Sequence, residues 1–403
     1  METVYDLAVI GGGASGMAAA VMAAGRGRHV ILLEKSAAVG RKIMASGNGR
    51  CNLMNTGPLR YRGESAFAQA VVSRCGPERQ KAFWHRLGLI VSEETEGRVY
   101  PCTFQSSSVV DALKMGLKQS GAEVRTGAEV LSCTLSDHQF RIRLSDGSIF
   151  SRRLLIASGS PAGKNLGGTD IGPVILRSFG HRTVPFEPSL TPVRTDRVSI
   201  SGLAGIRVRC SIALMDASGN AIAREKGEAL FTEDGVSGIC AMQLSRFVDG
   251  SGQWIEIDPV GRLFPEEDAL YRELQSRQDA FSALDPTALL NGLMLPRLSY
   301  AVLKQAGIPL RGERAGDLDD AQIRSIVRTA FHYRLKVMGK RGISDAQVAA
   351  GGALCSEFSP ESMESRIVPG LYAAGETLNV DGDCGGFNLM FAFASGILAG
   401  EHI

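Results

Sequence analysis

The 403-residue sequence predicts an α/β fold in which one parallel-sheet domain is split by a long insertion. Three observations lead there. The first thirty-four residues read as strand, glycine turn, helix, strand. A second apolar strand ending in glycine, followed by a small-residue helix, closes the chain. Between them the hydrophobic period changes, first to short alternating runs and then to helical spacing.

In the opening segment, "YDLAVIGGGASGMAAAVMAAGRGRHVILLEK", Tyr5–Ile10 is a short apolar run suited to a buried parallel strand. Met17–Ala24 is small and helix-favouring, Gly25 stops it, and Val30–Glu34 is the second strand. Gly11, Gly13 and Gly16 form G-x-G-x-x-G in the setting the motif requires. Gly11 permits the sharp turn, Gly13 lets a pyrophosphate approach the backbone, and Gly16 lets helix and strand pack closely. The helix start then offers free N–H groups to phosphate. Glu34 is placed to accept from a ribose diol and disfavours the 2′-phosphate of NADP. The expected ligand is an adenine dinucleotide.

The stretch Gly40–Asn55, "GRKIMASGNGRCNLMN", shows no periodicity, and neither helix nor strand is predicted in it. Its glycines permit close approach to a flat ring, and Asn48, Arg50 and Asn52 supply donors. Further on, the hairpin "FRIRLSDGSIF" turns at Asp146-Gly147, and "RRLLIASGS" runs as a strand into Ala157-Ser158-Gly159. Leu371–Ala374 is a strand ending in Gly375-Glu376. The turn Gly385-Gly386 precedes a helix starting near Asn388.

The expected domains are residues 1–185 and 336–403 for the split domain, 186–262 for a β-barrel-like insert and 263–335 for a small helical subdomain. No second strand–GxGxxG–helix unit occurs in the insert, so a separate nicotinamide domain is not expected.

Composition narrows the class. A net charge of +2 without a basic block argues against a nucleic-acid partner. Eight cysteines with no CxxC pair argue against zinc and against a disulfide framework, consistent with a reducing cytoplasm. The run Leu7–Gly25 is apolar, but five glycines interrupt it and its flank is acidic, so no membrane segment is expected.

A dinucleotide fold opening near residue 5 and closing near 400 has the organisation of the glutathione-reductase-like FAD proteins. The segments "VGRKIMASGNGRCNLMN", "GEALFTEDGVSG" and "GLYAAGETLNVDGDCGGFNLMFAFASG" together resemble the bacterial aminoacetone-oxidase and 3-dehydro-bile-acid-reductase-like flavoproteins, over essentially the whole chain. The resemblance implies FAD as cofactor. Gly11, Gly13, Ala14 and Ser15 would hold the pyrophosphate, and Glu34, with Lys35 beside it, the adenine ribose. Arg41, Lys42, Ser46, Gly47, Asn48 and Asn52 would line the flavin side. Val130 would meet the adenine through its backbone, and Ala157, Ser158 and Gly159 would pass close to the dinucleotide. Gly375 and Glu376 would lie beside the ribityl chain and pyrophosphate. Gly386, Phe387, Asn388 and Leu389 would lie beside the isoalloxazine, the helix start facing its N1–C2 edge.

The implied activity is hydride exchange between flavin and a small organic substrate held between the FAD domain and the insert. NAD(P)H-fed reduction of a conjugated oxo compound of bile-acid or steroid type is favoured. The alternatives are an amine oxidase releasing hydrogen peroxide, a non-catalytic flavin-binding protein and a plain NAD-dependent dehydrogenase. Cys384 and Cys51 read as small residues in crowded turns, with no base beside them. Arg50 reads equally as a flavin or substrate contact and as an anchor for its loop.

Overall fold

The computed structural model describes residues 3–403, which divide into two compact units, residues 3–189 with 343–403 and residues 190–342. In the first unit, β1 (Val4–Ile10) leads through the glycine turn into α1 (Ala14–Ala24), and β2 (Val30–Glu34) follows. β1 and β2 are parallel neighbours, and Leu7–Ile10 and Val30–Leu33 are buried. Glu123–Thr126 extends the sheet in parallel beyond β2.

On the other side of β1 lies Gly147–Ile156, a ten-residue strand that unites the predicted hairpin arm and the predicted "RRLLI" strand. β1 occupies one edge of it from Phe150 to Ile156. Its other edge is shared: Gly147–Ser151 pairs antiparallel with Gln139–Leu144, and Leu154–Ile156 pairs parallel with Leu371–Ala373. Leu371–Ala373, from near the end of the chain, therefore enters the sheet formed by its first residues.

The C-terminal helix Phe387–His402 lies along α1 at glycine distance. A Cβ at Gly396 would stand 2.2 Å from Ser15 O, and one at Gly400 2.4 Å from Ala19 O. The apolar N-terminal run resolves into β1 and α1. Among the described residues no helix is long and apolar enough to cross a membrane.

The second unit is a closed barrel in the order Val193–Thr195, Gly235–Ser237, Ala221–Phe231, Arg207–Met215, Trp254–Asp258 and Tyr333–Lys340. Three expectations are corrected here. Tyr333–Lys340 is a barrel strand, its Tyr333, Leu335 and Val337 buried in alternation with exposed Arg334, Lys336 and Met338. The helical stretch is also not a separate subdomain. Leu270, Leu274, Leu298, Val302 and Ile326 share one apolar core with Ile212, Phe231, Ile255 and Leu335 of the barrel. One-sided helices of this size bury their apolar stripe only against another layer, and the barrel is that layer. Phe186–Ser189, expected at the start of the insert, instead belongs to the strand Thr183–Ser189, which pairs with Val348–Ala353 within the first unit.

That pair is braced by a buried histidine. His181 Nδ1 lies 2.9 Å from Glu357 Oε2, its Nε2 lies 2.9 Å from Ser365 Oγ, and its ring stacks on Phe358 at 4.6 Å. Burial pushes the imidazole pKa below 6.5, outweighing the opposing pull of Glu357. Burial would raise Glu357, but hydrogen bonds from Arg182 and His181 outweigh it and hold the carboxyl below 4.5. A depressed histidine makes the unfolded chain the better proton acceptor below pH 6.5. Stability is therefore complete above that pH and falls as the pH drops, and Glu357 adds a second loss in the acid range. His181→Gln is expected to flatten the slope of stability between pH 7 and 5.5, of which one proton supplies at most ~1.4 kcal/mol per pH unit. Denaturant melts at a series of pH values test it; an unchanged slope refutes the brace as the titrating element.

Candidate cofactor site

The glycine turn after β1 separates structural from open positions. Gly11 has φ +111, and a Cβ there would lie 2.4 Å from Ala157 O. A Cβ at Gly16 would lie 1.9 Å from Gly11 O. Both positions are closed to any side chain by backbone. Gly13 is the opposite case: its φ is −87, and a Cβ would meet nothing within 4 Å. It caps α1 without any side-chain hydrogen bond, so no cap side chain takes up the first-turn N–H groups.

Glu34 ends β2 with both carboxylate oxygens engaged, accepting from Gly12 N (2.8 Å) and Ser36 N (2.7 Å). Each oxygen retains acceptor capacity for a hydroxyl. Lys35 is exposed and reaches Gly168 O. Ala128 N–H donates to Glu34 O, and Val130 opens an edge strand two residues later.

The Gly40–Asn55 stretch is corrected: it holds a one-turn helix, α2 (Arg41–Ala45), a 3-10 turn over Ser46–Gly49 and a short strand at Met54–Asn55. Gly40, at φ +79, starts the helix, Ile43 is buried, and Ser106 Oγ donates to Met44 O at 2.8 Å. One turn is too short to register as a period.

α2 sends its two cations apart. Arg41 donates to Asn165 O (2.8 Å) and Ser36 Oγ (3.4 Å), placing it at the Glu34 end rather than beside Asn48 and Asn52. Lys42 donates to Ser160 O and Glu376 Oε2, both at 3.2 Å, and Ser160 Oγ donates to the same carboxylate oxygen at 3.1 Å. Gly159, at φ +73, donates to Thr377 Oγ1 at 3.1 Å. Gly375 backs onto Ser15, where a Cβ would meet Ser15 Oγ at 2.6 Å. Residues 11–15, 42, 157–160 and 375–377 thus converge on one locus.

A second cluster gathers the glycine loop. Gly47 and Asn48 are both left-handed, at φ 57 and 55. Ser46 Oγ donates to Ile43 O at 2.7 Å. A Cβ at Gly386 would lie 2.7 Å from Asn52 Oδ1 and 2.6 Å from Met54 O. Asn388 is committed internally, its Oδ1 accepting from Gly382 N (2.7 Å) and its Nδ2 donating to Gly382 O (2.8 Å). Phe387 is buried and Leu389 partly so, which leaves the start of this helix to offer backbone rather than side chains. Two residues went unnoticed in the sequence. Asn55 Nδ2 donates to Gly385 O at 2.9 Å, and Tyr61 Oη donates to Phe387 O at 3.0 Å. Asn55 closes the same Asn-rich stretch and was visible there.

Two buried polar atoms in this region have no partner among the described residues, Asn52 Oδ1 and Ser158 Oγ. An orphan acceptor beside glycine backbone fits a flat ring bearing N–H groups, and the open cradle at Gly13 fits a pyrophosphate. The residues present therefore fit FAD. Burial drives the Cys51 thiol up to about 12, so it stays protonated at neutral pH.

Residues 5–402 match the family described as HI0933-like protein Rossmann domain. The chain belongs to the HI0933-like Rossmann-domain family. Among relatives, this HI0933-like protein is 33% identical to the 3-dehydro-bile acid delta(4,6)-reductase of Clostridium scindens, over 98% of each chain. It is 29% identical to the ribosomal RNA dihydrouridine synthase of Escherichia coli, over 97% of this chain and 96% of that one. Its fold matches the 3-ketosteroid-delta4-(5alpha)-dehydrogenase of Rhodococcus jostii RHA1 at a TM-score of 0.50 and 14% identity, covering 100% and 97% of the two chains. The HI0933-like chain has the Rossmann-type FAD-binding fold of the flavoenzymes, with a closed β-barrel inserted, and is a flavoprotein oxidoreductase.

Proposed function

We propose that this FAD-dependent oxidoreductase reduces a carbon–carbon double bond conjugated to a carbonyl, in a steroid-like substrate, with NAD(P)H as electron donor. The observation that carries the reading is the 33% identity to a bile acid delta(4,6)-reductase across the full length of both chains. When bound, FAD supplies the two-electron hydride chemistry that side chains lack. Gly13 and the first turn of α1 cradle the pyrophosphate, Glu34 accepts from the adenine ribose, and Lys42 with Glu376 frames the middle of the cofactor. Asn52 presents Oδ1 to the flavin ring, and the uncapped start of Phe387–His402 favours negative charge on that ring. With no second dinucleotide unit in the sequence, NAD(P)H reaches the flavin by the substrate's own route.

The two ribosomal RNA dihydrouridine synthases, at 29% and 27% identity, favour a second reading in which the substrate is a uracil base. The chemistry is shared, because the bond saturated in dihydrouridine is also conjugated to a carbonyl. Charge does not favour it: the chain carries only +2 and no basic block.

Anaerobic mixing with NADH and, separately, NADPH is expected to bleach the flavin within the time of mixing. Adding a 3-oxo-4-ene steroid should then restore the yellow colour. Recolouring by a uridine-containing RNA alone would move the assignment to the second reading. A flavin that neither nucleotide bleaches but an amine does would make the protein an oxidase.

A further inference from the structure

A cavity of about 610 Å³ opens within the first unit, lined by Asn48, Gly49, Arg50, Glu94, Phe104 and Gln105. It includes part of the glycine loop, two residues ahead of the Asn52 that faces Gly386, and all of its walls come from segments 48–50, 94 and 104–105.

These segments are strained together. Asn48 and Phe104 in these walls, and Cys51 and Glu96 one and two positions beyond them, have φ of 55, 52, 58 and 60, four of the eight left-handed non-glycine residues among the described residues. For a bulky residue such as Phe104 this conformation is unfavourable, and it persists only where the surroundings impose it. Here Phe104 N donates to Pro101 O at 2.8 Å, and Gln105 N donates to Thr103 Oγ1 at 3.3 Å. The imposed turn sets the Phe104 ring 5.7 Å from that of Tyr100, tilted by 34°. Tyr100 in turn backs the loop, its Cε1 3.9 Å from where a Gly47 Cβ would stand. The result is an aromatic wall behind a glycine loop.

Arg50 is the one cation lining this cavity, and among the described residues its guanidinium has no ion-pair partner. Glu94 lines the same space without pairing with it, whereas nearby Arg98 is held by Glu96. A guanidinium kept free of carboxylates presents a planar set of donors to an oxygen acceptor.

We propose that this cavity is the carbonyl end of the substrate site, where Arg50 donates to the carbonyl oxygen and Phe104, backed by Tyr100, packs against the planar conjugated ring. The assignment rests on the function proposed above. In that reaction the β-carbon receives hydride from the reduced flavin. The π pair of the double bond shifts towards the α-carbon and the oxygen, and a proton from solvent water completes the α C–H bond. Reduced FAD would supply the two electrons of that hydride, and NAD(P)H would restore them. Negative charge grows on the carbonyl oxygen, and a cation there stabilises the transition state more than the ground state.

The test measures binding to the oxidised holoenzyme by calorimetry, using testosterone (a 3-oxo-4-ene) and its 3-deoxy counterpart. Arg50→Met should raise the Kd for testosterone about 10-fold or more while leaving that of the 3-deoxy steroid unchanged. Phe104→Ala should weaken both ligands alike. The flavin-to-protein absorbance ratio checks that each variant is folded and loaded. Wild-type binding of testosterone that Arg50→Met leaves intact overturns the assignment of Arg50 alone. Failure of the wild-type holoenzyme to bind either steroid overturns the proposed substrate class, and this assignment with it.

Discussion

Gly13→Val is expected to yield a folded, colourless protein. The φ of −87 is open to valine, and the Cβ would meet no atom of the chain within 4 Å. The fold loses little beyond the cap preference of glycine, up to ~1 kcal/mol. The added isopropyl group occupies the space in front of the α1 N–H groups, where the pyrophosphate is proposed to lie. FAD affinity should fall by roughly 100-fold or more, since overpacking at this contact displaces the phosphates from their donors. Flavin content per chain, read from the 450 nm to 280 nm absorbance ratio, is the measurement, with circular dichroism to confirm the fold. Full flavin occupancy in this variant would mean that the dinucleotide lies elsewhere.

Gly396→Val has the opposite signature. The residue sits inside the C-terminal helix, where replacing glycine by alanine ordinarily gains about 1 kcal/mol. Here the Cβ would stand 2.2 Å from Ser15 O and 2.8 Å from Ser15 Cα, both backbone atoms of α1. The helices would have to part, and α1 carries the turn that is proposed to bind the cofactor. A loss of ~3 kcal/mol or more follows, or no soluble protein. Even Gly396→Ala should destabilise, against its intrinsic helix preference. Thermal and denaturant melts decide this, and a Gly396→Ala variant more stable than wild type would show that the helix seam is looser than described.

The two substitutions also mark how far the residues could be read in advance. Gly11, Gly13 and Gly16 were legible because a strand, a turn and a helix adjoin them in sequence, and each has a separate steric reason. Gly396 was not, because its reason is Ser15, nearly four hundred positions earlier. The Lys42–Glu376 pair and the Asn55–Gly385 hydrogen bond join residues of the same kind, distant in sequence and united only by the return of the chain to its first sheet. α2 escaped notice since a single helical turn has no period, and the packing of Ile43 rather than propensity sustains it. The helices of the insert were visible as helices, but whether they form their own core or share one depends on the neighbouring layer, which local pattern does not record.

By itself the sequence determined the parallel strand pair, the open glycine turn with its terminal acid and the split of one domain by a β-rich insert, because these follow from short-range periodicity and from residues a few positions apart. The tertiary structure alone decided that Arg41 and Lys42 face different ends of the site, that Asn388 is spent on Gly382, and that, among the described residues, Asn52 is left with an unmatched acceptor and Arg50 with no ion-pair partner beside Phe104. Each of these turns on which distant groups a side chain meets, and therefore on the closure of the fold.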